Sequence, residues 1–491
     1  MKRLPSLFAL TLIMTLLAAP AFAANGLDAT SSGVRAAGMG GTDLAIALDA
    51  TAIDTNPAGL MQLTGHRVDF GTSLLMPQLH FKNDLNDADG EPLYVLSPVA
   101  AWGYKLKNLP LATGFGVFTQ GGAGTSSFEL KHALLGNDTR YYSNIQTIKI
   151  AGALAWAPHP TIALGVAPHL SLSRMDLDLP YTRATKWLRG HADPTNMETW
   201  NSVFRKPVSE GGFGFDEATF RLRLNNATAY GVGLKAGALW MPIDAVHVGV
   251  AYTLMVPMDY IGHARMDLKP QLSAGRERLY KELLRQGLSA EEAARQADLQ
   301  MQFWGIEDND LESRYDSHVE FTWPQRAGLG LSFRPGESWL LGVDGSFINW
   351  AKTMQNVKWV IEKPNNRNSK HVLGQKRKNT ILHEKWDDQF VVAAGVQYEF
   401  VENFWGRLGY NYGNNPTPDD SVTPILPGIQ EHHATAGLGY RHGMWELNGF
   451  YEYGVPNTQK AADEHWWADE YNGSETTQGS HNAGVMMSLM F

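Results

Sequence analysis

Apolar and polar residues alternate along most of this chain. Near its end Ala483, Val485, Met487, Leu489 and Phe491 share one face, and Asn482, Gly484, Met486, Ser488 and Met490 share the other. A period of two marks a strand with one greasy side. The same phase recurs upstream. Val232, Leu234, Ala236, Ala238 and Trp240 stand opposite Lys235, and Leu329, Leu331 and Phe333 stand opposite Arg326. Leu408, Tyr410 and Tyr412 oppose Arg407 and Asn411, while Trp445, Leu447, Tyr451 and Tyr453 oppose Glu446, Asn448 and Glu452. Strands that put apolar residues on one face and charges on the other suit a wall between lipid and a polar lumen. An edge strand of a soluble sheet would explain the last segment alone, but not the recurrence.

Short turns punctuate the strands. They fall at Lys105–Pro110, Ala157–Pro160, Met241–Asp244, Arg334–Glu337, Glu399–Asn403 and Arg441–Gly443, several directly after an aromatic residue such as Trp156, Trp240 or Tyr440. An aromatic collar with tight turns is expected at the inner membrane rim, where proline can end a ladder without loss. Six turns join six strand pairs. An opening strand near Val68–Leu75 and the closing one predict an all-β, antiparallel barrel of about 14 strands, an even number as such barrels require. The other connections are longer, the longest from about Pro180 to Leu224 and from about Pro257 to His318.

The first residues decide the compartment. Lys2 and Arg3 precede the apolar run Leu7–Leu17, and Ala21-Phe22-Ala23 is an A-x-A cleavage site. Residues 1–23 therefore read as an export signal, with the mature chain starting at Ala24. No later window holds the roughly 18 apolar residues that a membrane helix needs, so a membrane location requires a closed barrel. Composition adds little beyond consistency. The 491 residues include no cysteine and 49 glycines, and mean hydropathy is −0.26. The net charge of −9 argues against nucleic acid as a partner.

Between the cleavage site and the first strand, residues 24–65 are rich in small side chains. They contain Gly38-Met39-Gly40-Gly41, the stretch Ala45–Ala50 with Asp49, and Asn56-Pro57-Ala58-Gly59. Small residues permit close packing and tight turns. A flexible tail is the bland alternative. With Trp323–Gly330, Asp344–Trp350 and Trp386-Asp387-Asp388 further on, the chain resembles the FadL/TodX family of outer-membrane transporters of hydrophobic compounds. The resemblance implies that 24–65 is a hatch plugging a barrel of 66–491. It also implies that outer loops capture a ligand, that a lumen pocket holds it, and that it leaves sideways where the third strand kinks inward. The aromatic last residue resembles the terminus that the barrel assembly machinery reads. The second long loop is unusually long for the family, which leaves the substrate open.

Candidate residues follow from these readings. In the loops, Leu279, Tyr280, Leu283 and Leu284 predict a helix that Gly287 ends, and Ser289–Glu292 is a capping box for a second helix leading to Phe303 and Trp304. Trp187, Leu188, Trp200 and Phe204 are apolar positions on the other long loop; these and Phe303 and Trp304 line a ligand groove or form the loops' own core. Lys235, Arg326 and Arg407 offer cations to a carboxylate ligand, or to hatch acids such as Asp43, Asp49 or Asp54. Gly121, Gly122 and Gly124 weaken the third strand, for a kink or merely for the start of a loop. The basic stretch Lys352–Lys378 suits lipopolysaccharide phosphates. The acidic run Asp84–Glu91 misses calcium-loop spacing, so no metal or cofactor is expected. No G-x-S-x-G elbow is present, and no catalytic residue is assigned. The expected function is passive uptake of hydrophobic compounds by a single-copy bacterial outer-membrane barrel, with long-chain fatty acids first and aromatic or aliphatic hydrocarbons second. A barrel lipase and an adhesin or phage receptor are the alternatives of another class.

Overall fold

A computed structural model describes residues 25–124, 127–193, 198–306, 311–374 and 377–491. The export signal expected in 1–23 lies outside the described residues. Fourteen antiparallel strands close into a barrel. They are β1 (His66–Lys82), β2 (Val95–Lys105), β3 (Leu111–Gly124), β4 (Gly136–His159), β5 (Ile162–Ala184), β6 (Glu217–Ile243), β7 (Val246–Thr253 and Val256–Asp267) and β8 (Glu312–Trp323 and Arg326–Phe333). The remainder are β9 (Trp339–Ile348 and Val357–Glu362), β10 (Arg377–Leu382 and Gln389–Val401), β11 (Phe404–Gly413), β12 (His432–His442), β13 (Trp445–Lys460) and β14 (Glu475–Met490). Pairing of Arg67 with Met490 through Lys82 with Glu475 closes the ring. Closure removes the sheet edges that lipid could not satisfy.

The alternation read from sequence is the alternation observed. Val232, Leu329, Leu408 and Leu447 are exposed on the outer wall, whereas Arg407, Asn411, Glu446, Asn448 and Glu452 are buried inside. Every turn sits where the aromatic collar placed it, within about three residues. The strands are longer than expected. β5 continues to Ala184 and β6 begins at Glu217, so the long loop is shorter than Pro180–Leu224. Likewise β7 reaches Asp267 and β8 starts at Glu312. Inward Leu222 and Leu224 alternate with outward Arg221 and Arg223 there, a strand pattern whose outer face meets water rather than lipid. Loop composition masks that pattern in the sequence. The two expected helices are α1 (Lys269–Arg285) and α2 (Ala290–Phe303). Gly287 has φ 93° after α1, and the Ser289 side chain accepts from Glu292 N–H. They pack beside the other long loop as a canopy over the outer mouth.

Residues 25–65 fill the lower lumen. Asn56 caps a 3-10 turn (Pro57–Gln62) by accepting from Ala58 N–H at 3.2 Å, and its amide donates to Leu44 O at 2.7 Å and to Ala238 O on β6 at 3.1 Å. Pro57 at the first helical position supplies the fixed φ and gives up an N–H that had no partner there. The wall makes room with inward glycines. A Cβ on Gly237 would stand 2.0 Å from Asn56 Oδ1, one on Gly165 2.3 Å from Ala58 N, and one on Gly249 1.9 Å from Leu44 O. Gly395 and Gly409 would meet Met39 O at 2.3 Å and Gly40 N at 2.1 Å. Ion pairs fasten the same segment: Lys149 holds Asp54 at 2.5 Å, and Glu446 gathers Arg35 at 3.4 Å, Arg67 at 3.1 Å and Arg441 at 2.6 Å.

This fit has a direct test. Gly237→Val should displace Asn56 and break its three bonds while the outer wall stays intact. Overpacking of this kind costs about 1–3 kcal/mol, so amide exchange across residues 44–62 should quicken roughly tenfold or more, with the barrel still heat-resistant on unheated gels. Unchanged exchange in a folded barrel would show that the hatch does not depend on this contact.

Candidate functional site

Above the hatch the lumen holds a narrow apolar cavity of about 70 Å³. Its wall is built from inward positions of several strands: Ile145 on β4, Met175, Leu177 and Leu179 on β5, Val319 and Phe321 on β8, and Val357 and Trp359 on β9. Met354 joins them from a helical turn (Trp350–Met354) that interrupts β9. Ile425, Leu426 and Trp467 close it from two outer loops. Only Ser143 and Glu384 are polar, and the Ser143 hydroxyl donates to Ile425 O. Glu384 lies above the lipid-facing band, between the two parts of β10. Burial pushes its carboxyl up to about 8, opposed only by distant attraction from Arg183. Its wall therefore carries no charge at neutral pH.

Below the cavity the lumen turns polar. A small chamber is lined by Lys149, Lys235 and Arg326 from the wall and by Asp28, Asp43 and Asp54 from the hatch. Lys235 donates to the Asp54 carbonyl, Arg326 to Ser346 Oγ at 3.3 Å, and Asp344 accepts from Asp43 N–H at 2.7 Å and Leu44 N–H at 2.9 Å. These groups compensate one another and close the straight path through the barrel.

Beside the chamber the wall itself departs from a regular ladder. β2 and β3 pair from Lys105 with Ala112 only up to Val99 with Phe118. Beyond Phe118, β3 bends to the hatch: Gly122 N–H donates to Leu27 O at 3.0 Å, and Asp28 bridges Gly121. The pairing of β3 with β4 shifts register between Thr119 and Gly121, a bulge at Gln120, and Gly121 adopts φ 143°. Pro98 on β2 brings no N–H to that ladder. A pocket lined by Thr30–Val34 of the hatch, Ser97–Val99 of β2 and Thr119 reaches the place where the ladder ends, and there the Thr119 hydroxyl donates to Pro98 O at 3.1 Å.

The other predicted residues separate into groups. Leu188, Trp200, Phe204 and Trp304 are fully buried in an aromatic cluster, with Trp200 6.0 Å from Trp304 and 6.3 Å from Phe204. They build the canopy's core and none lines the cavity; Phe303 points outward and Trp187 packs on Tyr181 and Phe220. Lys235 and Arg326 meet in the polar chamber. Arg407 lies apart, bonded to Gln397 at 2.8 Å near the Glu446 ion pairs. Gly121 and Gly122 stand at the bend, and Gly124 ends β3. Sequence reasoning passed over Lys149, Glu384 and the whole cavity wall. Met354, Val357 and Trp359 sit in the basic stretch Lys352–Lys378, which reads as a loop; the remaining strand positions of the wall lie outside the expected loops, and only the inward phase of Met175, Leu177 and Leu179 would have marked them. Among the described residues no three His, Cys, Asp or Glu cluster as a metal would need.

Comparison with known proteins agrees with this geometry. Residues 10–447 match the family model described as outer membrane protein transport protein (OMPP1/FadL/TodX). No curated protein matches the chain. Among solved structures, the Pseudomonas putida toluene transporter TodX superposes with TM-score 0.69 at 17% identity, covering 95% of this chain and 100% of that one. A Pseudomonas aeruginosa FadL homologue gives 0.66 at 14% identity, with 95% and 100% covered. The Ralstonia pickettii toluene transporter TbuX gives 0.64 at 14% identity, with 94% and 99% covered. With the family model spanning most of its length and the hatch-filled barrel as its frame, the chain belongs to the OMPP1/FadL/TodX family of outer-membrane transporters for hydrophobic compounds.

Proposed function

We propose that this barrel admits uncharged hydrophobic molecules passively from the cell exterior and releases them sideways into the membrane. In this reading residues 1–23 are removed after export, 24–65 form the hatch, 66–491 form the wall, and the protein works as a single copy without catalysis or cofactor. The supporting observation is the continuity of apolar surface. The cavity belongs to one apolar cluster with Leu27 of the hatch, and Leu27 touches β3 at the bend beside the end of the β2–β3 ladder. A ligand passes from the canopy to the cavity, then past Leu27, then between Pro98 and Thr119.

The cavity favours hydrocarbons over long-chain fatty acids. A carboxylate in a dry site needs a cation or several donors, and the only acid–base group on this wall is itself a carboxyl. A fatty acid has a place on one specific ground: its headgroup can reach down to Lys149, Lys235 and Arg326 while its tail occupies the cavity. Toluene and laurate binding to the pure protein separates the two. Tight toluene binding with weak laurate binding supports the first reading, and the reverse overturns it.

The exit is tested at the bend. Val tolerates φ 143° poorly, and a Cβ on Gly121 would meet Leu27 O at 2.3 Å. Gly121→Val with Gly122→Val should pull β3 away from the hatch and toward β2. Uptake by cells should fall severalfold while ligand binding in detergent persists. Normal uptake through a correctly assembled double variant would place the exit elsewhere.

Glu384 gives a pH signature. Its ordinary value is 4.5 and its folded value about 8, so the folded state holds an extra proton between them. Stability contributed by this group is therefore full below pH 4.5 and is lost as pH rises toward 8. Ligand affinity should follow: flat to about pH 7, then falling as the wall acquires charge. Glu384→Gln should remove the fall, and an unchanged decline in that variant would assign it to another group.

A further inference from the structure

The outer wall above the lipid band carries an arrangement that the fold alone does not explain. Arg223 on β6 pairs directly with Arg265 on β7, and Arg265 pairs with Arg314 on β8. All three occupy outward positions, since their neighbours Leu222, Leu224, Ala264, Met266, Ser313 and Tyr315 are buried. Side chains directly opposite on adjacent strands stand about 5 Å apart at Cβ, and like charges there are destabilising. Three guanidinium groups thus stand in one row across three strands.

Internal compensation is partial. Glu312 stands 3.5 Å from Arg265 and 4.0 Å from Arg223. Asp178 on β5 pairs in register with Arg223 but lies 3.8 Å from Arg221 as well, and Asp316, two residues from Arg314, is engaged by Lys363 at 3.0 Å. Among the described residues Arg314 has no ion-pair partner within 4 Å. The side chains are 34% exposed at Arg223 and 58% at Arg265. The basic stretch expected to meet lipid phosphates is different. Lys358 pairs with Glu320, Lys363 with Asp316 at 3.0 Å and Arg377 with Glu362 at 3.7 Å, and Lys378 turns in to Trp187 O at 2.9 Å; Lys376 lies outside the described residues.

Height selects the anion. On β6 the lipid-facing residues end upward at Tyr230, which is 75% exposed. At about 3.3 Å per residue and a tilt near 40°, Arg223 stands roughly 15 Å above that rim. This is above the acyl chains and the first headgroup layer, at the level of the sugars of the outer leaflet's glycolipid. Guanidinium is the group that binds phosphate in a bidentate fork.

We infer that the Arg223–Arg265–Arg314 row is a docking site for a phosphate on the inner-core sugars of lipopolysaccharide. The phosphate lies across the row and supplies the charge that the wall lacks. The glycolipid is thereby fixed beside β6–β8. This inference rests on the outer-membrane location and not on the uptake route.

The probe is lipopolysaccharide with a phosphorylated inner core, compared with the same material after core dephosphorylation and with phosphatidylglycerol, each added to the intact barrel in nanodiscs and counted by native mass spectrometry. The wild type should retain the phosphorylated form at least tenfold better than the dephosphorylated one, with retention falling as salt rises. Arg223→Gln, Arg265→Gln and Arg314→Gln together should erase that preference, while Lys358→Gln with Lys363→Gln should leave it intact. Arg265→Lys, which keeps charge but loses the fork, covers the case in which the triple variant fails to assemble; it should weaken the preference severalfold. Equal retention of both lipopolysaccharides by the wild type, an unaltered preference in the triple variant, or equal binding of phosphatidylglycerol each overturns the assignment. Toluene binding measured on the same variants should not change, which keeps this result separate from the transport reading.

Discussion

The close approach of the hatch backbone to the barrel wall governs the rest of this structure. A lumen enclosed by fourteen strands is too wide for wall side chains alone to fill. It is filled instead by residues 25–65, and these come so near that a single methyl group on the wall would overlap them at Gly165, Gly237, Gly249, Gly395 or Gly409. Strand interiors lose stability to glycine, so these positions give up wall strength for contact. What returns is a dense seam in which hatch carbonyls and amides find partners on the wall. Asn56 reaching Ala238 and Asp344 receiving two hatch N–H groups are the clearest cases.

That seam explains where charge can be buried. Lys149, Lys235, Arg67 and Arg326 sit in the lumen wall, where each alone would be costly. The hatch brings the Asp54 carboxylate to Lys149 and the Asp54 carbonyl to Lys235, and Arg35 shares Glu446 with Arg67. Removing either partner leaves the other uncompensated, so hatch and wall are coupled electrostatically as well as sterically. β3 is the strand that breaks the pattern. Instead of following β2 it forms a backbone bridge to the hatch at Asp28 and Gly121, and the β2–β3 ladder ends where the two structures exchange partners.

How much of this was legible in the sequence depended on which side of a strand spoke. Lipid-facing runs such as Val232 to Trp240 announce themselves because lipid demands apolar residues at every second position. The barrel, its phase and its turns follow from them. Where both faces of a strand meet protein or water the demand relaxes. Met175, Leu177 and Leu179 alternate with the polar Arg174, Asp176 and Asp178, which gives no lipid-facing run, and the cavity wall goes unread with them. Trp200, Phe204 and Trp304 were conspicuous for the same reason that they proved internal to the canopy: large apolar side chains on a long loop need one another. Charge pairing was unreadable in principle. Asp54 takes Lys149, a residue far along the chain, and only closure of the barrel brings the two together.

The same physics argues for the direction a greasy ligand takes. Continuing straight down from the cavity would bring an apolar molecule against Lys149, Lys235, Arg326, Asp43 and Asp54, of which Lys149 and Lys235 are held by Asp54 and Arg326 by Ser346. Wedging between them would forfeit charge-assisted bonds worth about 1.5–3 kcal/mol each and leave several ions without partners. Parting Pro98 from Thr119 asks for less: one neutral hydrogen bond, from the Thr119 hydroxyl to Pro98 O at 3.1 Å, worth about 0.5–1.5 kcal/mol. The backbone there is already bent toward the hatch, and beyond it lies lipid, where apolar surface is kept from water throughout. In the proposed route a polar floor under an apolar cavity acts as a deflector. The hatch need not move aside for transport in this scheme, and the barrel can stay sealed to ions and water while it passes molecules that never leave an apolar environment.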